Sequence, residues 1–349
     1  MNRQFPALRG LAILLVILNH SITLSLQNAA EFGFRKATGV ERYLLIGLKE
    51  LGPLAVPVFL FLSGTFLVYA VQGKDIRAAY RVVLLGLRHI LGPYLLWSVV
   101  FYGLMFFTGG ERASLGDYVM NLLTGYPFNF VPLLVFFYLL APLIVWAARR
   151  WPWAVAAVFG LYQLFVIFVL RQKDWGLELP GWMMLLTLPV LRITYAVWGI
   201  FFPLGILYSL YVSRFNAAVQ KLWPVLAGLS AILYILAVLD FLAVVRFPLG
   251  EVFFPVAAIL LITRIRRDAI PAAASLERTG KRAYGLYLTN LILINLTLFV
   301  LRNIFPALLN FHLLVVPILF SAALFIPSVI MAATERHPAG RAAFRYVFG

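Results

Sequence analysis

The amino-acid sequence predicts an all-α, polytopic transmembrane bundle of about ten helices with both termini in the cytoplasm. Three observations carry this expectation. The 349 residues are 63% hydrophobic and only 12% charged, against about 45–50% and about 25% in a soluble domain. Mean hydropathy is +0.95, and the apolar residues fall into runs near the 20 or so that a helix needs to cross a bilayer. Lys and Arg are unequally shared between alternate loops, the charge bias that orients membrane helices.

The runs lie near residues 6–26, 43–71, 82–107, 130–147, 152–170, 183–211, 222–244, 248–264, 284–301 and 311–333. The first follows Arg3 and has the outline of a signal peptide, but it carries Arg9 and His20 inside its apolar stretch and nine more runs follow, so it is expected to stay as the first span. The second and sixth are long and hold Pro53, Pro57, Pro189 and Pro203, which predicts tilted, kinked or partly interfacial helices. Segment 111–129 is polar and aromatic and suits a short surface helix. With the N-terminus inside, cytoplasmic segments hold 18 Lys and Arg and the opposite side holds 9. No linker, low-complexity tail or repeat interrupts the chain, so residues 1–349 read as one membrane domain.

Composition also excludes chemistries. There is no cysteine, which removes disulfides, thiolate catalysis and Cys-ligated metals. The four histidines are scattered and none shows metal-site spacing, so no metal centre is expected. No Gly-rich nucleotide loop is present. A net charge of +16 would point to nucleic acid in a soluble protein. Here the charges sit in short loops between apolar runs and are read as topology.

An ionisable group in hydrocarbon costs roughly 2.5–3.5 kcal/mol on insertion scales, so each one inside a span needs a reason. The first span holds two. Eleven residues turn a helix through about 1100°, close to three full turns, and advance it about 16 Å. Arg9 and His20 therefore share one face, and a polar passage joining them is expected.

The stretch RGLAILLVILNH, Arg9 to His20, resembles the Arg-x10-His signature of the acyltransferase-3 family of bacterial membrane O-acyltransferases. Four more blocks are similar to that family in the same order: PVFLFLSGTFLV (Pro57 to Val68), RHILGPYLLW (Arg88 to Trp97), FNFVPLLVFFYLLAPL (Phe128 to Leu143) and GKRAYGLYLTN (Gly280 to Asn290). The last departs from the family, which usually ends that block in His where this chain has Asn290. Asn can orient a group by hydrogen bonding but cannot shuttle a proton. The resemblance implies a multi-pass protein of the bacterial inner membrane. It also implies transfer of an acyl group, usually acetyl, from cytoplasmic acyl-CoA to a hydroxyl of an extracytoplasmic or lipid-linked glycan, with no permanently bound cofactor.

The residues divide accordingly. Arg9, Arg81 and Arg88 are candidates for the donor's phosphates, since a guanidinium binds two oxygens at once. The basic run between Arg264 and Arg282 is a positive-inside loop or a second contribution to that site. His20 is the candidate base that takes the acceptor's proton. An acid would fix its tautomer, with Glu50 the first choice and Glu251 the second; Asp240 has a plainer use in a salt bridge with Arg246 or Arg192. Arg192 either binds the acceptor or neutralises one of those acids. Ser63, with Gly64, allows close helix approach or polarises a carbonyl. Asn290 and Tyr287 are candidates for holding the acceptor or the structure around it. His312 and His337, near span ends, receive no role. The rival readings are a glycan or lipid transporter or flippase of similar architecture, and a non-catalytic accessory subunit.

Overall fold

The computed structural model describes residues 4–109, 114–247 and 249–349. They form α1 (Phe5–Glu31), α2 (Gly39–Lys49), α3 (Ala55–Val71), α4 (Ile76–Gly109), α5 (Leu115–Thr124), α6 (Phe130–Arg150), α7 (Pro152–Leu170), α8 (Trp182–Leu185), α9 (Arg192–Trp198), α10 (Phe201–Leu210), α11 (Val212–Phe241), α12 (Gly250–Ile262), α13 (Ala273–Lys281), α14 (Ala283–Ile304), α15 (His312–Arg336) and α16 (Pro338–Val347). The chain is an all-α polytopic bundle. Among the described residues, eight stretches are long and apolar enough to cross a membrane, or nine if the bent pair α9–α10 is one span. The eighth apolar run becomes α12, whose 13 residues reach only about 20 Å, short of a core of about 30 Å. Arg3 and Arg112, counted among the loop charges, lie outside the described residues.

The prolines act as sequence physics requires. The second run is two helices, α2 and α3, joined by a single 3₁₀ turn at Gly52–Leu54. The sixth bends by 43° between α9 and α10, just ahead of Pro203, whose ring cannot coexist with the helical carbonyl four residues before it. Within segment 111–129, α5 forms as expected, started by a reciprocal capping box between Ser114 and Asp117.

The residues group into two compact units. The first comprises Met1–Ala55, Leu91–Ala113 and Pro224–Gly349. Its centre is α1, which packs on α13, α14 and α15. The α1–α13 crossing is possible only because two glycines face each other's backbone. A methyl on Gly10 would sit 2.0 Å from the Leu276 carbonyl oxygen, and one on Gly280 would sit 2.1 Å from that of Pro6. At the other end of α1, the buried Ser25 hydroxyl donates to His312 Nδ1 at 2.9 Å, and His312 Nε2–H donates to the Arg35 carbonyl at 2.9 Å.

Three of the six cations in the basic run from Arg264 to Arg282 form ion pairs. Arg266 meets Asp268, Arg267 meets Glu277 and Arg282 meets Glu335. Hydrogen bonding to the Arg267 guanidinium holds the Glu277 carboxyl below its ordinary value. A depressed carboxyl contributes stability that is present above its unfolded value and is lost as pH falls through the folded one. Glu277→Gln is therefore expected to be nearly silent at neutral pH in physiological salt, because an exposed pair is screened. It is expected to flatten a small loss of stability on acidification at low salt. Acid unfolding curves of the two proteins that superimpose at low salt would discard this pairing.

The second unit comprises Val56–Ile90 and Ser114–Trp223. Here α6, α7, α9 and α10 pack together around an aromatic centre, with Phe137 and Phe202 stacked at 5.1 Å and Phe61 beside Tyr208 at 5.3 Å. The α3–α10 crossing again rests on paired glycines. A methyl on Gly64 would lie 2.2 Å from the Phe202 carbonyl oxygen and one on Gly205 2.0 Å from that of Phe61. Thr65 hydrogen-bonds the Gly205 carbonyl at 3.1 Å across the same contact. The break between α9 and α10 leaves backbone groups without helical partners, and the buried Gln163 supplies them. Its amide donates to Ala196 O at 2.8 Å and accepts from Ile200 N at 2.8 Å. Gln163→Leu orphans both, at about 1–3 kcal/mol each. It is expected to lower the detergent unfolding temperature by several degrees, and an unchanged transition would remove Gln163 from this role.

Candidate active site

The site in the first unit is built on α1 and α14. His20 lies deep in the unit yet keeps accessible surface. Its Nδ1 meets Asn290 Oδ1 at 2.7 Å. Its Nε2 hydrogen-bonds no group among the described residues. Asn290 is fully buried. Its amide nitrogen donates to the Leu286 carbonyl at 3.1 Å and to the Tyr287 carbonyl. Tyr287 is buried one turn before it, so both residues named in the late block lie at the imidazole or behind it.

Arg9 sits on α1, half-buried, about 16 Å along the helix from His20 by its rise. The face between them is not polar. Ile13 and Val16 lie on that stripe and are buried, so the expected polar passage does not run along α1 from Arg9 to His20. Polarity continues in the opposite direction. Thr23 is three residues on and Gln27 seven, about 60° and 20° from His20 around the helix. The Thr23 hydroxyl is enclosed without a hydrogen-bond partner, and Gln27 is exposed. The sequence reading missed this pair. The signal was the same periodicity that paired Arg9 with His20, carried one and two turns further.

The acids fall elsewhere than at the imidazole. Glu50 is 3% exposed and its Oε1 accepts from Lys49 Nζ at 2.8 Å. Lys49 also lies 3.8 Å over the Phe241 ring. Asp240 caps the Phe247 amide at 2.7 Å and Glu251 is exposed at the start of α12. Asp240 and Glu251 are both electrostatic neighbours of Glu50. The group at His20 Nδ1 is the Asn290 amide, and no acid hydrogen-bonds that ring among the described residues. This cluster still approaches α1 from the side, because Asn19 donates to the Lys49 carbonyl at 2.9 Å and Gly52 packs against the Asn19 side chain.

The second unit holds the other candidates. Arg81 and Arg88 are exposed on α4, on the face opposite the buried Ala79, Val83 and Leu87. With Arg77, Tyr80, Leu84 and Leu85 they line a groove of about 450 Å³, cationic along its length, apolar between the charges and without a carboxylate among the described residues that line it. Arg192 begins α9 and is half-buried. Ser63 is half-buried on α3 beside the Gly64 crossing.

The all-α bundle of membrane-spanning helices is that of a multi-pass membrane protein, and its sequence places it among membrane-embedded acyltransferases. The chain belongs to the acyltransferase-3 family, whose acyltransferase domain matches residues 2–333. No curated protein and no solved structure matches it.

Proposed function

We propose that this protein transfers an acyl group, acetyl in the first instance, from acyl-CoA to a hydroxyl of an extracytoplasmic or lipid-linked glycan in the bacterial inner membrane. The observation that supports this best is an imidazole inside a membrane-spanning helix, its Nδ1 held by Asn290 and its Nε2 without a hydrogen bond to any described residue. A sugar hydroxyl is a weak nucleophile. Its proton passes to His20 Nε2 as its oxygen attacks the thioester carbonyl. The C–S bond then breaks, the imidazolium returns the proton to the departing CoA thiolate, and the ester remains on the acceptor. Positioned proton transfer of this kind contributes typically 10²–10⁴-fold.

The donor's phosphates require cations. Arg9 in the first unit and Arg81 and Arg88 in the second are the candidates, the latter two on a groove that offers bidentate donors above an apolar floor. Thr23 and Gln27 are the candidate acceptor contacts. Glu50 keeps Lys49 neutralised, and Arg192 and Ser63 serve packing in the second unit.

Mass spectrometry of envelope glycans and lipids from cells with and without the protein tests the reading. Acyl mass increments that appear only with the protein are expected. Arg81→Gln/Arg88→Gln is expected to raise the KM for acetyl-CoA about tenfold or more while leaving the protein folded. Unmodified glycan accumulating inside cells that lack the protein, with no acyl increment in either strain, would replace transfer by transport, a reading that the bent α9–α10 pair would suit.

A further inference from the structure

We infer that Asn290 is the positioning residue of His20, fixing the imidazole in the tautomer that carries its proton on Nδ1 and leaves Nε2 as the base. The inference rests on the acyl-transfer reading above and adds to it the source of the ring's orientation.

The argument starts from the asymmetry of an amide. Asn290 has one end that only donates and one that only accepts. Its nitrogen faces the carbonyl oxygens of Leu286 and Tyr287, four and three residues back on the same helix. A flipped amide would set its own oxygen against both, with nothing to donate. The carbonyls therefore hold Oδ1 toward His20, 2.7 Å from Nδ1. An acceptor at that distance requires Nδ1–H, and a neutral ring with Nδ1–H has its lone pair on Nε2. The whole arrangement is buried on the Asn290 side, so no water competes for the contact, and a buried polar contact of this kind holds its geometry. The basic nitrogen is then the one that hydrogen-bonds no group among the described residues.

This differs from a histidine oriented by a carboxylate. An amide sets tautomer and angle but brings no negative charge to stabilise the imidazolium. Glu50, the nearest buried acid in sequence to α1, is matched by Lys49. Asn290 thus replaces one function of a triad acid and omits the other.

The test uses the full chain in lipid nanodiscs, labelled with ¹⁵N-histidine, with His20 signals assigned by difference against His20→Gln. Solid-state NMR at a pH where the ring is neutral is expected to show protonated Nδ1 and unprotonated Nε2. Asn290→Leu is expected to mix the tautomers and lower kcat about tenfold or more, toward the roughly 10⁴-fold seen where the wrong tautomer dominates, with KM for acetyl-CoA within about twofold of wild type. An Nε2–H tautomer in the wild type overturns the inference, whatever the variants do. So does an Asn290→Leu protein with unchanged tautomer and kcat while His20→Ala is inactive, an outcome that leaves the acyl-transfer reading intact. An active His20→Ala protein sinks the reading itself.

Discussion

Replacing His20 by alanine is expected to lower acyl transfer by about 10²–10⁴-fold, the typical contribution of a positioned general base, without loss of the protein. The two parts of that expectation have separate causes. The imidazole makes one hydrogen bond, to Asn290, and keeps accessible surface, so its removal leaves one buried amide acceptor without a donor, at about 1–3 kcal/mol. That is tolerable for a helix held elsewhere by the Gly10–Gly280 crossing and the Ser25–His312 contact. The chemistry has no substitute. No acid hydrogen-bonds the ring among the described residues, and Asn290 cannot accept a proton. The measurement is acyl incorporation into envelope glycans at matched protein levels. Incorporation by His20→Ala within about threefold of wild type would end the role given to His20.

Enlarging Gly64 is expected to be the most damaging single change to the fold outside the site. A Cβ there would lie 2.2 Å from the Phe202 carbonyl oxygen and 3.3 Å from the Ile206 amide, both backbone atoms that cannot rotate away. Gly205 presses equally on Phe61 from the other side, so neither helix has room to yield. Separating them stretches the bond from Thr65 to the Gly205 carbonyl and loosens Phe61 against Tyr208. Overpacking alone costs typically 1–3 kcal/mol, and the lost buried hydrogen bond adds roughly 1 kcal/mol. Gly64→Leu should therefore yield little monodisperse protein, with a sharply lowered unfolding temperature. Gly103→Ala is the control: its Cβ would meet nothing within 4 Å, and removing a helical glycine gains about 0.5–1 kcal/mol. Equal thermal stability of Gly64→Leu and wild type would show that the crossing yields where its atoms say it cannot.

Much of this was legible in the sequence because it depends on local rules. Run lengths and composition gave the membrane bundle. The eleven-residue step from Arg9 to His20 placed them on one face whatever surrounds the helix, and the Ser-Gly pair at 63–64 marked a close crossing. Pro203 foretold the bend ahead of α10. What stayed illegible depends on residues distant in the chain. Asn290 is 270 residues from His20, and no periodicity connects them. Glu50 looked like the partner because it is an acid at the end of an apolar run, yet the neighbouring Lys49 neutralises it. The passage expected from Arg9 to His20 failed because Ile13 and Val16, whose burial depends on what packs against them, occupy that stripe. The polar cap that Gln163 puts on a helix break 33 residues away is of the same kind.

The glycine crossing of α1 and α13 sets how this molecule can move. With Pro6 and Leu276 carbonyls each lodged where a methyl would otherwise be, α1 cannot slide or roll along its neighbour without steric collision. Its far end is held through Ser25 and His312. The first helix therefore behaves as a fixed post, and the imidazole it carries keeps one height. Any opening and closing around substrates would fall to elements that are not pinned in this way. A cross-link between α1 and α13 near this contact should accordingly leave turnover intact.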